Sequence, residues 1–183
     1  MESKAAFIVL LLCFSTVAVS ATLSQEDYVC VYTVFVRTSK TFRAGTDSKI
    51  SLALYDDTGA GVLIRDLEAW GGAMEKGHDY FERGNLDIFT GKVPCLSRPV
   101  CAMELTSDGT GSHPSWYCNY VEVTTTGPQT QCAQINFTVE QWLSPDKSPY
   151  QLSVTRDSCS NAPLNRLPKK LLPVETLLHV AVS

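Results

Sequence analysis

The sequence predicts an all-β fold, a disulfide-stapled sandwich or barrel, on three observations. Short runs rich in Val, Ile, Tyr, Phe and Thr recur between clusters of Gly, Asp and Ser, the pattern of strands separated by turns. No segment before residue 160 sustains a helical period. Six of the seven cysteines lie beyond an N-terminal stretch that reads as a secretion signal.

The elements follow in order. Val29 to Arg37 mixes Val, Tyr, Thr and Phe and suits a first strand. In the second, Ile50, Leu52 and Leu54 alternate with Ser51, Ala53 and Tyr55. The turn signal Asp56-Asp57-Thr58-Gly59-Ala60-Gly61 precedes a third strand over Val62–Ala69. Leu86–Phe89 and Val100–Leu105 are the fourth and fifth, and 107–111 form a second turn cluster. Tyr117–Thr125 is the sixth strand; Ile135, Phe137 and Val139 alternate in a seventh; Gln151–Arg156 is the eighth. Eight short strands with regular turns indicate a sandwich or a barrel.

The flanks differ from this body. Lys4 precedes an apolar run from Ala5 to Val19, and small residues around Ser20 and Ala21 suit cleavage. Residues 1–21 are therefore expected to be a signal peptide, with an uncleaved anchor as the alternative, and the destination to be the secretory pathway: the endoplasmic reticulum or the extracellular space (apoplast). Residues 22–159 form one domain. Residues 160–183, broken by Pro163, Pro168 and Pro173, are expected to be a flexible tail, or else a weak membrane-surface or sorting segment through Leu171, Leu172, Leu177, Leu178 and Val180.

Removing the signal removes Cys13 and leaves an even set in an oxidising setting, which reads as disulfides. No C-x-x-C pair is present, which argues against a zinc or thioredoxin-like site. Cys95 and Cys101 flank a five-residue loop and are expected to close locally. Cys30 with Cys159 would pin the first strand to the last, leaving Cys118 with Cys132.

Lys+Arg number 15 against Asp+Glu 19, a net charge of −4, which argues against nucleic acid. The average hides a split: 11 basic and 17 acidic residues over 22–159, against three basic and one acidic in the tail. His78, His113 and His179 accompany no recognisable nucleophile elbow, so a non-enzymatic role is expected and no residue is nominated as catalytic.

Four segments, in order, resemble a known family. Gly45-Thr46-Asp47-Ser48-Lys49-Ile50-Ser51-Leu52 is similar to the second-strand signature of PLAT (lipoxygenase homology) domains. Phe81 through Phe89, with Gly84 and Asp87, resembles their central stretch. Asp108-Gly109, Trp116 and Val121-Glu122-Val123 fit the next segment, and Phe137 with Trp142-Leu143 fits the closing strand. The set spans Tyr28 to Cys159 and looks most like the stand-alone, stress-associated PLAT proteins of plants. The resemblance implies an eight-stranded antiparallel sandwich of two four-stranded sheets. It also implies a non-catalytic, monomeric module that binds a membrane lipid surface or a protein partner.

Some PLAT domains bind calcium in loops at one end. The matching positions here are Gly45, Thr46 and Asp47, with Gly77, His78 and Asp79. Asp47 and Asp79 would supply carboxylates, Thr46 and Gly77 carbonyls. His78 stands where a family ligand can be Asn, and Pro114 stands near the place of a third acidic ligand, so the resemblance implies at most one weak calcium site. Turn-shaping by Thr46 and Asp47 is the alternative. Asp108 is a lesser candidate. Trp70, before Gly71-Gly72, is the expected membrane contact or else a cap on the core. Asn136-Phe137-Thr138 is an N-glycosylation sequon whose Asn should face outward if Phe137 faces in.

Overall fold

The computed structural model describes residues 29–128, 130–160 and 169–172. The expected signal peptide and most of the expected tail lie outside the described residues. Among the described residues, nine strands and one helical turn follow in chain order: β1 (Val29–Thr38), β2 (Ile50–Tyr55), β3 (Ala60–Ile64), α1 (Leu67–Gly71), β4 (Leu86–Pro94), β5 (Ala102–Ser107), β6 (Trp116–Gly127), β7 (Thr130–Leu143), β8 (Ser153–Asp157) and β9 (Lys170–Leu172). They form two sheets, of order β4-β1-β6-β7 and β8-β5-β2-β3-β9.

The period-2 patterns do what they predict. Tyr32, Val34 and Val36 of β1, Val121 and Val123 of β6, and Phe137 and Val139 of β7 point between the sheets. They meet Ile50, Leu52, Leu54, Val62, Ile64, Met103 and Leu105 from the other sheet. Trp116 is fully buried there, and its indole N–H donates to the Thr38 hydroxyl at 3.0 Å. Ala53, Tyr55 and Ala102 form a second small cluster with Leu63 and Cys159.

Three expectations are corrected. The third strand stops at Ile64 rather than Ala69. Asp66 then caps α1, its Oδ1 accepting the Ala69 N–H at 3.1 Å, and a capped turn competes with extension. The second sheet has five strands, because Lys170–Leu172 pairs parallel with β3. The 160–183 segment thus contributes a strand to the domain.

The third correction is the cysteine pairing. The bridges are Cys30–Cys95 and Cys101–Cys159, each with Cα atoms 4.9 Å apart. Both follow from antiparallel geometry. β1 begins beside the end of β4, with Cys30 opposite Val93, and β5 begins beside the end of β8, with Ala102 opposite Asp157. Cys95 and Cys101 do not close locally because 96–100 carries the chain from one sheet to the other. Nor do Cys118 and Cys132 pair: Cys118 lies opposite Gln141, and Cys132 next to Ala133, which lies opposite Thr125. About seven residues of ladder, roughly 23 Å, separate them. The chain-entropy estimate for loops of 65 and 58 residues is ~4 kcal/mol of stabilisation per bridge.

The free sides of β4, β3, β7 and β8 are each covered. At β4, Gly72 bridges to Phe89, and α1 lies alongside with Trp70. At β3 the cover is β9. The β7 and β8 edges face each other, tied by Arg156, whose guanidinium donates to the carbonyls of Thr138 and Val139 and to Gln141 Oε1.

Candidate functional site

The antiparallel course of the strands gathers loops 39–49, 72–85, 108–115 and 144–152 at one end of the sandwich. This apical end holds Thr46, Asp47, Gly77, Asp79 and Asp108.

Thr46 and Asp47 act as loop ties. The buried Thr46 hydroxyl donates to the His113 carbonyl at 2.6 Å and accepts the Ser48 N–H at 3.1 Å. Asp47 Oδ2 accepts the His113 N–H at 3.0 Å and lies 3.1 Å from His113 Nδ1. Thr46 N–H reaches the Phe81 carbonyl at 3.3 Å, so loop 39–49 is bound to both neighbouring loops.

His78 and Asp79 diverge. The His78 ring is mostly buried, with Nε2 2.6 Å from Oδ1 of Asp87, a carboxylate with no exposure. The other Asp87 oxygen accepts the Phe81 N–H at 2.8 Å. Loop 72–85 therefore hangs on Asp87. Gly77 makes its turn at φ +84°, where a side chain would be strained. Asp79 is exposed, and its carbonyl accepts from Asn85 Nδ2 at 3.0 Å.

These donors fall short of a full calcium set. Calcium takes six to eight oxygens. Here one Asp47 carboxylate oxygen, Oδ2, is engaged by His113, and among the described residues no three acidic, His or Cys side chains gather in a metal-holding group, so at most two carboxylates would face an ion. Asp108 is also occupied. Its Oδ1 accepts from the Thr110 N–H, the Thr110 hydroxyl and the Lys49 N–H. Burial pushes its carboxyl up, but these hydrogen bonds together outweigh it and hold the group below the usual Asp value.

Trp70 is half-buried and packs against the core. Gly91 makes room for it: a Cβ there would sit 2.5 Å from the indole. The capping reading of Trp70 is the one this geometry supports.

The exposed aromatics lie elsewhere. Phe42 is 75% exposed and Tyr150 67%, both on apical loops. Arg43, in a left-handed conformation, holds its guanidinium 5.4 Å from the Phe42 ring centroid. Phe42, Arg43, Gly45, Glu82, Arg83 and His113 line an open cleft of about 360 Å³. Composition does not single out Phe42; its signal in the sequence is its place between Lys40 and Arg43, outside every alternating run. The four apical loops carry six basic and six acidic side chains, so the acidic excess of the domain lies away from this end.

Asn136 is exposed on β7 while Phe137 is buried, and it sits in a row with Glu122, Phe35 and Ile88 on the outer face.

The PLAT/LH2 domain model matches residues 32–156. PLAT domain-containing protein 2 of Arabidopsis thaliana is 56% identical over 153 residues, covering 84% of this chain and 83% of that protein. PLAT domain-containing protein 1 of the same plant is 50% identical over 153 residues, covering 84% and 82%. A crystal structure of coral 8R-lipoxygenase, described as calcium-activated through a C2-like domain, superposes with a TM-score of 0.51 at 23% identity, over 68% of this chain and 16% of that one.

Proposed function

Because this chain belongs to the PLAT/LH2 domain family, we propose that it is a non-catalytic module that docks on a lipid surface through its apical end. The observation that carries the reading is Phe42. A ring three-quarters exposed, beside guanidinium groups and on the charge-balanced end of an acidic domain, suits insertion at a membrane interface. Arg43 and Arg83 at the cleft would meet headgroup phosphates.

This revises the contact residue. Trp70 is committed to Gly91, so Phe42 takes the inserting role, with Tyr150 as a second contact. Asp47 serves the site by holding loop shape through His113, and no calcium bridge is part of the reading. A secretory-pathway setting, glycosylation at Asn136 and a stress-linked role rest on the signal-like N-terminus, the sequon and the resemblance to plant PLAT proteins. The exposure of Asn136 and Thr138 supports the sequon's use.

The test is flotation with phosphatidylcholine vesicles containing 20% anionic lipid, with calcium and with chelator, comparing the native chain with Phe42→Ala and Trp70→Phe. Binding that survives chelation and falls only in Phe42→Ala supports the reading. Absence of vesicle binding would leave the protein-interaction alternative, a module serving a partner enzyme, as the better account.

A further inference from the structure

β3 is an unusual strand to find at an edge. Its sequence, Ala60-Gly61-Val62-Leu63-Ile64, contains no charge and no proline, the residues that normally keep an edge from pairing. It is covered by three residues only, where β1 and β4 share nine paired positions. Lys170 and Leu171 of that cover are exposed, and the last covalent anchor before it is Cys159.

The cover is nonetheless specific. The Lys170 N–H donates to the Gly59 carbonyl at 3.0 Å, starting a parallel ladder. Lys169 reaches back over β2 and β5: its Nζ lies 2.8 Å from Glu104 Oε2 and 5.1 Å from the Tyr55 ring centroid. Leu172 packs on the main core. The site therefore reads three features: an extended backbone, a cation, and an aliphatic side chain three residues later. Its charge preference is set by Glu104 and the Tyr55 face.

We propose that the β3 edge is a strand-addition site for an extended segment of a partner protein, with a Lys or Arg three residues before a Leu-like side chain, and that Lys169–Leu172 fills it in cis. The chain's own segment is a displaceable occupant: it shows what the slot accepts and keeps it closed until a better-matched segment arrives. The site lies on the outer sheet edge, apart from the apical loops, so it is independent of the lipid reading.

The test uses the full chain carrying Lys170→Pro and Leu172→Pro. These remove the N–H groups that alternation turns toward β3. The probe is a fluorescein-labelled peptide of residues 166–174 of this chain, read by anisotropy. The double-proline chain should bind it saturably, at least tenfold more tightly than the native chain, whose slot is filled. Glu104→Lys in that background should weaken binding at least fivefold, and so should Lys169→Ala in the peptide. Hydrogen exchange should show the Gly61 and Leu63 amides faster in the double-proline chain and slowed again by peptide, with β1 amides unchanged. Three results would overturn the proposal: exchange at Gly61 and Leu63 unaffected by the prolines, no saturable binding once those amides are open, or equal binding of a scrambled peptide.

Discussion

Replacing Phe42 by Ala removes an exposed ring and nothing that the fold needs. An aromatic side chain carries ~200 Å² of surface, and 75% of this one is open. That leaves ~150 Å² to withdraw from water at a membrane interface. At ~25 cal/mol per Å², complete withdrawal is worth about 3.7 kcal/mol, and half withdrawal about 1.9. Partitioning into vesicles should therefore fall by ~25-fold to ~500-fold, since each 1.4 kcal/mol is a factor of ten. The assay is sedimentation of the protein with increasing lipid, fitted for a partition coefficient. Because the ring packs on no core residue, the urea midpoint should move by no more than the equivalent of about 0.5 kcal/mol. Trp70→Ala should do the reverse, lowering stability while leaving the partition coefficient of the folded fraction near the native value. Equal partitioning of Phe42→Ala and the native chain, with both folded, would refute the apical docking geometry.

Other outcomes follow from the same interactions. Asp87→Ala strips the acceptor from the buried Phe81 N–H and the partner from His78, so it should cost about 2–4 kcal/mol in urea unfolding, with Asp87→Asn milder because one acceptor oxygen survives. Iodoacetamide labelling followed by mass mapping should modify Cys132 in the folded protein and spare Cys118, whose thiol burial pushes far above the usual cysteine value. Asp108 has a depressed folded-state pKa, so its contribution is present above the unfolded value near 3.8 and is lost as pH falls through the lower folded value. NMR titration should show the Thr110 and Lys49 amides moving together in that acid window, and no movement there would contradict the turn.

Much of this architecture is legible in the residues, and the reasons are local. β6 and β7 alternate apolar and polar side chains, and burial of one face follows directly, whereas β1 is largely apolar on both faces and β2 is buried on both. The end of β3 was not legible, because Leu67 and Trp70 continue an apolar run while Asp66 decides in favour of a capped turn. Cysteine pairing depends on which strands become neighbours, which spacing along the chain does not encode; Cys95 and Cys101 are close in sequence and belong to different sheets. The loops that carry Thr46–Asp47 and Gly77–Asp79 do meet at the apical end. Their partners were not legible, since His113 and Asp87 arrive from distant segments. The choice between contact and core cap for Trp70 is not legible from the two glycines that follow it, because the glycine it packs on is Gly91, on another strand.

The two bridges enclose consecutive, non-overlapping stretches of chain, 30–95 and 101–159. A pull applied at residues 30 and 159 would be carried across two disulfides, each spanning 4.9 Å, and the six peptide steps from Cys95 to Cys101. At ~3.5 Å per step the oxidised chain reaches only ~30 Å between those points, whereas the same chain reduced extends to ~450 Å. Under tension the oxidised protein is a short, nearly inextensible link, and a single proteolytic cut inside either enclosed stretch leaves its two ends joined. Loops such as 72–85 and 108–115 can therefore be cleaved without breaking the mechanical path from one terminus to the other.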